Sequence, residues 1–293
     1  MMSIKVEGHH LTVQFKEHEA LTNVSFTLES GKIYGLIGRN GAGKTSLLSL
    51  LASYRKPSSG TLKINGEDIF ENEKWMAEVT FVHQTNYKDE YDTAEAYLKL
   101  AERYRPSFDR KYAEEVAALF KLPLNQPVRK LSTGMQSALN ATIGLATRSK
   151  VTIFDEAYQG MDAPTREVFY KEILEDQARF PRVIILSTHL VSEMEYLFDE
   201  VLMIHKGKLM IQEPIDTLLQ KGFSVTGDAE QVEQFAEGLE TLSEQRLGGT
   251  KSVMVYGAIP EDKIDFVRQS GLEVGNVTLH DLFIQLTNEK EEN

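Results

Sequence analysis

Apolar residues recur along this chain in short runs between turn residues, and their spacing changes character more than once. Ile4–Val6, Leu11–Phe15 and Val24–Leu28 read as short strands, with turn signals such as Glu29-Ser30-Gly31 between some of them. Lys32–Ile37 is a buried strand running into a glycine-rich loop. The helix after it carries Leu47, Leu48, Leu50 and Leu51 on its packing side. Pro57-Ser58-Ser59-Gly60 marks a turn, and Thr61–Ile64 and Val79–Val82 read as further strands. From about Asp92 to Ala146 the spacing becomes helical, over Ala94–Tyr104 and Tyr112–Phe120, with breaks at Pro106 and Pro123. Strands return at Val151–Phe154, Val183–Ser187 and Val201–His205, alternating with helical stretches. The alternation predicts an α/β fold with a mainly parallel core sheet and covering helices. The helical stretch, about 90–148, is an insertion between sheet strands.

A different pattern begins near Gly222. Phe223–Thr226 (strand), Ala229–Gly238 (helix), Thr241–Leu247 and Ser252–Tyr256 (strands), Pro260–Ser270 (helix) and Leu272–Val277 (strand) predict a small split βαβ domain. Leu279–Leu286 reads as a closing helix and Asn288–Asn293 as a polar tail. The expected division is therefore 1–221 and 222–293, the second part a small α+β domain.

Composition narrows the function classes. The 293 residues can bury a sizeable core. There is no cysteine, which excludes disulfides and thiolate metal sites and fits a reducing cytosol. Met1–Val6 lacks an apolar signal core, and no apolar run approaches the roughly 20 residues that span a bilayer. The chain is expected to be soluble, with any membrane role needing a partner. Its net charge is −12, and residues 222–293 hold 14 acidic and 5 basic side chains. Such a surface repels polyphosphate backbones, so no nucleic-acid partner is expected.

Candidate chemistry lies in three segments. Gly38–Thr45 reads GRNGAGKT. Gly38, Gly41 and Gly43 let the backbone turn its N–H groups toward phosphate oxygens, Lys44 can reach the β- and γ-phosphates, and Thr45 offers a hydroxyl to Mg²⁺. The loop follows a strand and opens a helix, whose N-terminal dipole favours anions. Val151–Glu156 reads VTIFDE, an apolar strand ending in Asp155 and Glu156. One carboxylate can hold Mg²⁺ while its neighbour orients a water, and strand ends open into the ligand crevice of a parallel sheet. Leu131–Gln136 reads LSTGMQ and sits where the insertion runs into a long helix, with Ser132 and Gly134 fitting an anion-facing helix start.

The order GRNGAGKT, LSTGMQ, VTIFDE resembles the nucleotide-binding subunit of an ABC transporter, over roughly the first three-quarters of the chain. The resemblance implies an ATPase. ATP would be held by Gly38, Arg39, Asn40, Gly41, Ala42, Gly43, Lys44, Thr45 and Ser46, with Phe15 stacking on adenine. Mg²⁺ would be held through Thr45, Gln84 and Asp155. Glu156 would be the general base, and His189, at the end of another apolar strand, would touch the γ-phosphate and position the attacking water. Gln84 would contact Mg²⁺ and water from a loop that meets the membrane partner. By the same resemblance two subunits pack head to tail. Leu131, Ser132, Thr133, Gly134, Met135 and Gln136 of one would cap the ATP of the other, and Met161-Asp162 would link the two sites.

Some spellings depart from that family's pattern. Thr133 replaces the usual second glycine, Met135 stands where glutamine is common, Ala157 follows Glu156 in place of a frequent proline, and Gln159-Gly160-Met161-Asp162 is an unusual inter-site loop. These bear on rate and inter-site coupling more than on nucleotide binding. The segment TLHDLFIQLT, Thr278–Thr287, is similar to the ending of many ABC-2-type exporter ATPases, although a simple packing helix also accounts for it. The resemblance is to bacterial exporter ATPases for antimicrobial or amphipathic peptides, such as those for phenol-soluble modulins. It implies a permease partner and a second ABC ATPase, identical or related. It places the chain in the cytoplasm, on the inner face of the cell membrane. The alternatives are an importer ATPase, a soluble ABC ATPase acting on ribosomes or DNA, and a binding-only regulatory subunit. The single cassette without sustained heptads argues against the second, and intact Lys44, Asp155, Glu156 and His189 argue against the last.

Overall fold

A computed structural model describes residues 3–257 and 259–288. In chain order the first half holds β1 (Lys5–Phe15), β2 (His18–Glu29), β3 (Ile33–Ile37), α1 (Lys44–Leu51), β4 (Ser59–Ile64), β5 (Glu67–Asp68), α2 (Glu73–Glu78) and β6 (Val79–Val82). The insertion follows as α3 (Ala94–Tyr104), α4 (Arg110–Leu119) and α5 (Thr133–Ala146). Next come β7 (Val151–Asp155), α6 (Ala163–Arg179), β8 (Val183–Thr188), α7 (Val191–Met194), β9 (Glu200–His205), β10 (Lys208–Pro214) and α8 (Ile215–Gln220). The last stretch is β11 (Gly222–Asp228), α9 (Ala229–Ala236), β12 (Thr241–Leu247), β13 (Thr250–Tyr256), α10 (Glu261–Ser270), β14 (Glu273–Asn276) and α11 (Leu279–Thr287).

The core sheet has six strands in the order β10-β9-β3-β8-β7-β6, and β9, β3, β8, β7 and β6 run parallel to one another. Every residue of β3 and β8 is buried, as expected for strands covered on both faces. Because these strands are parallel, the loops after β3, β8, β7 and β6 all emerge on one edge. That edge receives the phosphate loop, His189, Asp155-Glu156 and Gln84.

A second, antiparallel sheet has the order β2-β1-β4-β5. The two short strands expected at 4–6 and 11–15 are one strand. Polar His9-His10 interrupts the apolar alternation but not the pairing, and register shifts between Gly8 and Leu11 absorb the break, with His10 at φ 49°. Val6, Leu11, Leu21, Leu36, Leu47, Ile153 and Ile185 share one apolar core between the two sheets and α1.

By contacts the chain divides into two compact units, residues up to 189 with 196–212, and 190–195 with 213 onward. The second unit contains an antiparallel sheet in the order β12-β13-β11-β14, the arrangement of a split βαβ unit. Val232 and Phe235 of α9 pack with Phe223, Val225, Val253 and Val255 on its inner face. In α11, Leu279 and Leu282 are fully buried, so packing uses the apolar residues of the Thr278–Thr287 segment. The tail expected at 288–293 lies outside the described residues beyond Asn288.

Candidate functional site

The phosphate loop is shaped by close approach and by left-handed backbone. A Cβ on Gly38 would lie 2.5 Å from the Ile204 carbonyl oxygen. Gly41 and Gly43 have φ of 78° and 110°, and a Cβ on Gly43 would lie 2.6 Å from the Ala20 carbonyl oxygen. Gly43 is also the N-cap of α1 and supplies no side-chain cap, so the first N–H groups of that helix remain available to an anion. Lys44 Nζ donates to the carbonyls of Gly38 at 2.6 Å and Arg39 at 3.3 Å. Burial lowers the pKa of this ammonium, opposed by the charges of Glu156 and Asp155. A buried cation held by loop carbonyls, at a helix start without a side-chain cap, suits a phosphate group. Ala42 N–H donates to the Arg39 carbonyl at 3.1 Å, closing the loop. Arg39, Asn40 and Thr45 are exposed along it, and Ser46 is half-buried.

Asp155 ends β7 opposite Ser187 of β8. Burial pushes its carboxyl above the usual range, and the neighbouring Glu156 charge adds to the shift. Glu156 takes a left-handed backbone, φ 51°, with its N–H donating to the Ser187 carbonyl at 3.1 Å. His189 Nδ1 lies 2.6 Å from Glu156 Oε2. The Tyr158 hydroxyl donates to the same oxygen and lies 2.8 Å from Thr188 Oγ1 and 3.3 Å from His189 Nδ1. Burial, and then the hydrogen bond to Glu156, push the Tyr158 phenol far above its ordinary pKa, so it stays neutral. Among the described residues no group of three acidic or histidine side chains could hold a metal alone. One desolvated carboxylate on the same sheet edge as a loop hydroxyl and a side-chain amide is nevertheless a donor set suited to Mg²⁺, which takes the rest of its shell from phosphate and water. The residues present therefore fit the ion.

The remaining candidates fall into three places. Gln84, Thr133 and Gln136 line one cavity of about 460 Å³ with Ser137 and Asn140. In the LSTGMQ segment, Ser132 Oγ accepts the Met135 N–H at 3.2 Å as N-cap of α5, while Gln136 Nε2 donates back to the Val128 and Leu131 carbonyls. Leu131 is buried, whereas Ser132, Thr133 and Met135 are exposed. Asp162 caps α6 by accepting the Thr165 N–H at 3.0 Å, and its bonds to Thr165 hold its carboxyl below the usual range. Phe15 is 39% exposed, with the Arg55 guanidinium 4.0 Å from its ring centroid. Sequence reasoning passed over Tyr158, Arg55 and the Tyr87–Asn140 hydrogen bond of 2.5 Å. Only Tyr158 carried a signal, as an aromatic hydroxyl in the oddly spelled loop after Glu156.

Comparison with known proteins agrees with this geometry. The ABC transporter family model matches residues 21–159. The ABC transporter ATP-binding protein YtrB of Bacillus subtilis (strain 168) is 25% identical over 95% of this chain and 97% of its own length. The Uncharacterized ABC transporter ATP-binding protein YcbN of the same organism is 30% identical, over 71% of this chain and 69% of that protein. The names of other relatives point in both transport directions, Nod factor export ATP-binding protein I of Ralstonia nicotianae being 31% identical over 71% of this chain and 66% of that protein. Bacitracin transport ATP-binding protein BcrA of Bacillus licheniformis is 29% identical over 75% of this chain and 73% of that protein. Fe(3+) ions import ATP-binding protein FbpC 1 of Pectobacterium atrosepticum is 28% identical over 70% and 60%. A solved ATP-binding subunit of an ABC transporter superposes with a TM-score of 0.67 at 23% identity, over 73% of this chain and 91% of that one, a likeness of fold. The chain belongs to the ABC transporter family, as an ATP-binding subunit that hydrolyses ATP.

Proposed function

We propose that this subunit powers an exporter, by ATP-driven head-to-tail dimerisation with an identical or related ATPase docked on a membrane permease. The observation that carries the reading is the pairing of one crowded edge with one exposed segment. The phosphate loop, Asp155-Glu156, His189 and Gln84 follow adjacent parallel strands, while Ser132, Thr133 and Met135 are exposed at the start of α5. An exposed anion-facing helix start suits the γ-phosphate of a partner's ATP.

In this reading the loop 38–46 cradles the triphosphate, Lys44 neutralises it and Phe15 stacks on adenine. Thr45, Gln84 and Asp155 would hold Mg²⁺, which when bound neutralises charge on the β- and γ-phosphates. Glu156 accepts the proton of the attacking water, and His189 holds the γ-phosphate side of the site. Asp162 and the loop before it answer to the other site across the dimer. Nucleotide loss then frees the interface. Residues 222–293 form an accessory domain.

Export is supported by the similarity of the Thr278–Thr287 segment to the ending of ABC-2-type exporter ATPases, and the bacitracin-named relative suggests an amphipathic or antimicrobial peptide as the cargo class. The test is cell sensitivity. Cells carrying Glu156→Gln as their only copy are expected to become more sensitive to such peptides. Unchanged peptide sensitivity together with a lost ability to take up a nutrient such as ferric ion would instead make the subunit an importer's ATPase.

A further inference from the structure

We propose that Tyr158 is a positioning residue for ATP hydrolysis, its phenol holding the Glu156 carboxylate and the His189 imidazole in one hydrogen-bonded set. The proposal rests on the reading of Glu156 as general base.

Tyr158 is 3% exposed, and its hydroxyl reaches three partners from the ends of two neighbouring strands. It donates to Glu156 Oε2, lies 2.8 Å from Thr188 Oγ1, and accepts the His189 backbone N–H at 3.4 Å. A phenol has one proton, and here the carboxylate takes it. His189 Nδ1 approaches the same Oε2 at 2.6 Å. A phenol donor and an imidazole nitrogen against one oxygen fix the plane of a flexible carboxylate and leave the base's work to Oε1. If Nδ1–H serves Glu156, Nε2 is the ring nitrogen left to face the phosphate side.

The loop holds the ring in place. Gln159 N–H donates to the Glu156 carbonyl at 3.0 Å and Met161 N–H to the Tyr158 carbonyl at 3.0 Å, so Tyr158 sits inside two successive tight turns. Glu156 itself has a left-handed backbone that a non-glycine residue adopts only when its surroundings hold it there. The hydroxyl contributes what an apolar ring could not, a donor aimed at the reacting carboxylate. General bases gain most of their effect from such placement, and a displacement of about 1 Å can cost about a hundredfold in rate.

The test is Tyr158→Phe in the full chain, which keeps the ring and removes only the hydroxyl. Single-turnover hydrolysis and kcat are expected to fall about tenfold or more, with KM and Kd for ATP within about twofold of the parent and ATP-bound dimer accumulating. In a Glu156→Gln background the same change is expected to alter the residual rate less than about twofold, because it acts through Glu156. Thr188→Val, nearly isosteric, removes the hydroxyl beside the phenol. It is expected to lower kcat at unchanged KM, and this keeps the question open to test should Tyr158→Phe fold poorly. Folded Tyr158→Phe or Thr188→Val with kcat within about twofold of the parent would overturn the proposal, as would an equal loss in the Glu156→Gln background. An inactive Glu156→Gln beside a normal Tyr158→Phe sinks only the role of Tyr158. A fully active Glu156→Gln sinks the base reading beneath it.

Discussion

Ser137 Oγ donates to the Gln159 carbonyl at 2.6 Å, tying the first turns of α5 to the loop beyond Glu156 within one chain. Gly134 reinforces the tie, since a Cβ there would lie 2.3 Å from the Gly160 carbonyl oxygen. The segment expected to cap a partner's nucleotide and the loop expected to link the two sites therefore move together.

Gly134→Ala is expected to force that contact apart. The obstacle is backbone, so no side chain can swing away, and overpacking of this kind costs roughly 1–3 kcal/mol. Calorimetry should show a lower Tm and a steady-state assay a lower kcat. A variant as stable and as active as the parent would mean that the two segments are not a rigid pair.

Lys44→Ala removes the only cation among the loop residues whose ammonium rests on the loop carbonyls. Charge-assisted contacts to phosphate are worth enough that ATP affinity is expected to fall about a hundredfold or more. Titration calorimetry reads the affinity, and a circular dichroism melt without nucleotide shows that the chain still folds.

Asp155 links stability to pH in the direction opposite to a salt-bridged carboxylate. Burial raises its folded pKa above the unfolded value, so its charged form is penalised in the folded chain. The penalty is full above the folded pKa and disappears as pH falls through it toward the unfolded value. Asp155→Asn is therefore expected to raise Tm at neutral pH and to lose that advantage in acid, while abolishing hydrolysis. Melts across a pH series check the sign, and a lower Tm at neutral pH would contradict it.

A chain ending at Lys221 is expected to keep its Kd for ATP, because the loop 38–46 lies wholly in the first compact unit. It should also melt earlier. The Glu195 carboxylate accepts the Leu279 N–H at 3.1 Å, and α7 packs on α11, so truncation uncovers the turn just after His189. Folded truncated protein that no longer bound ATP would mean that the proposed domain boundary is misplaced.

Much of this was legible in the sequence because local chemistry dictates it. The strand before GRNGAGKT, the mostly apolar run before Asp155 and the helical spacing over 94–104 each appear at the expected place. The hairpin of β1 and β2 was harder, since polar His9-His10 hides a pairing that only the partner strands reveal. The role of Tyr158 was hard to read for a related reason. A tyrosine two residues past a glutamate has no periodicity, and its role depends on Thr188 and His189 arriving on a neighbouring strand. The Arg55–Phe15 contact likewise joins distant segments that no spacing rule connects.

The central claim is that each nucleotide site is completed by a second subunit. The most direct measurement is the mass of purified Glu156→Gln by light scattering, with and without ATP–Mg²⁺. A monomer is expected without nucleotide and a dimer with it. A monomer under both conditions, with ATP demonstrably bound, would contradict self-completion and mean either that a different ATPase is the obligate partner or that the head-to-tail reading is wrong.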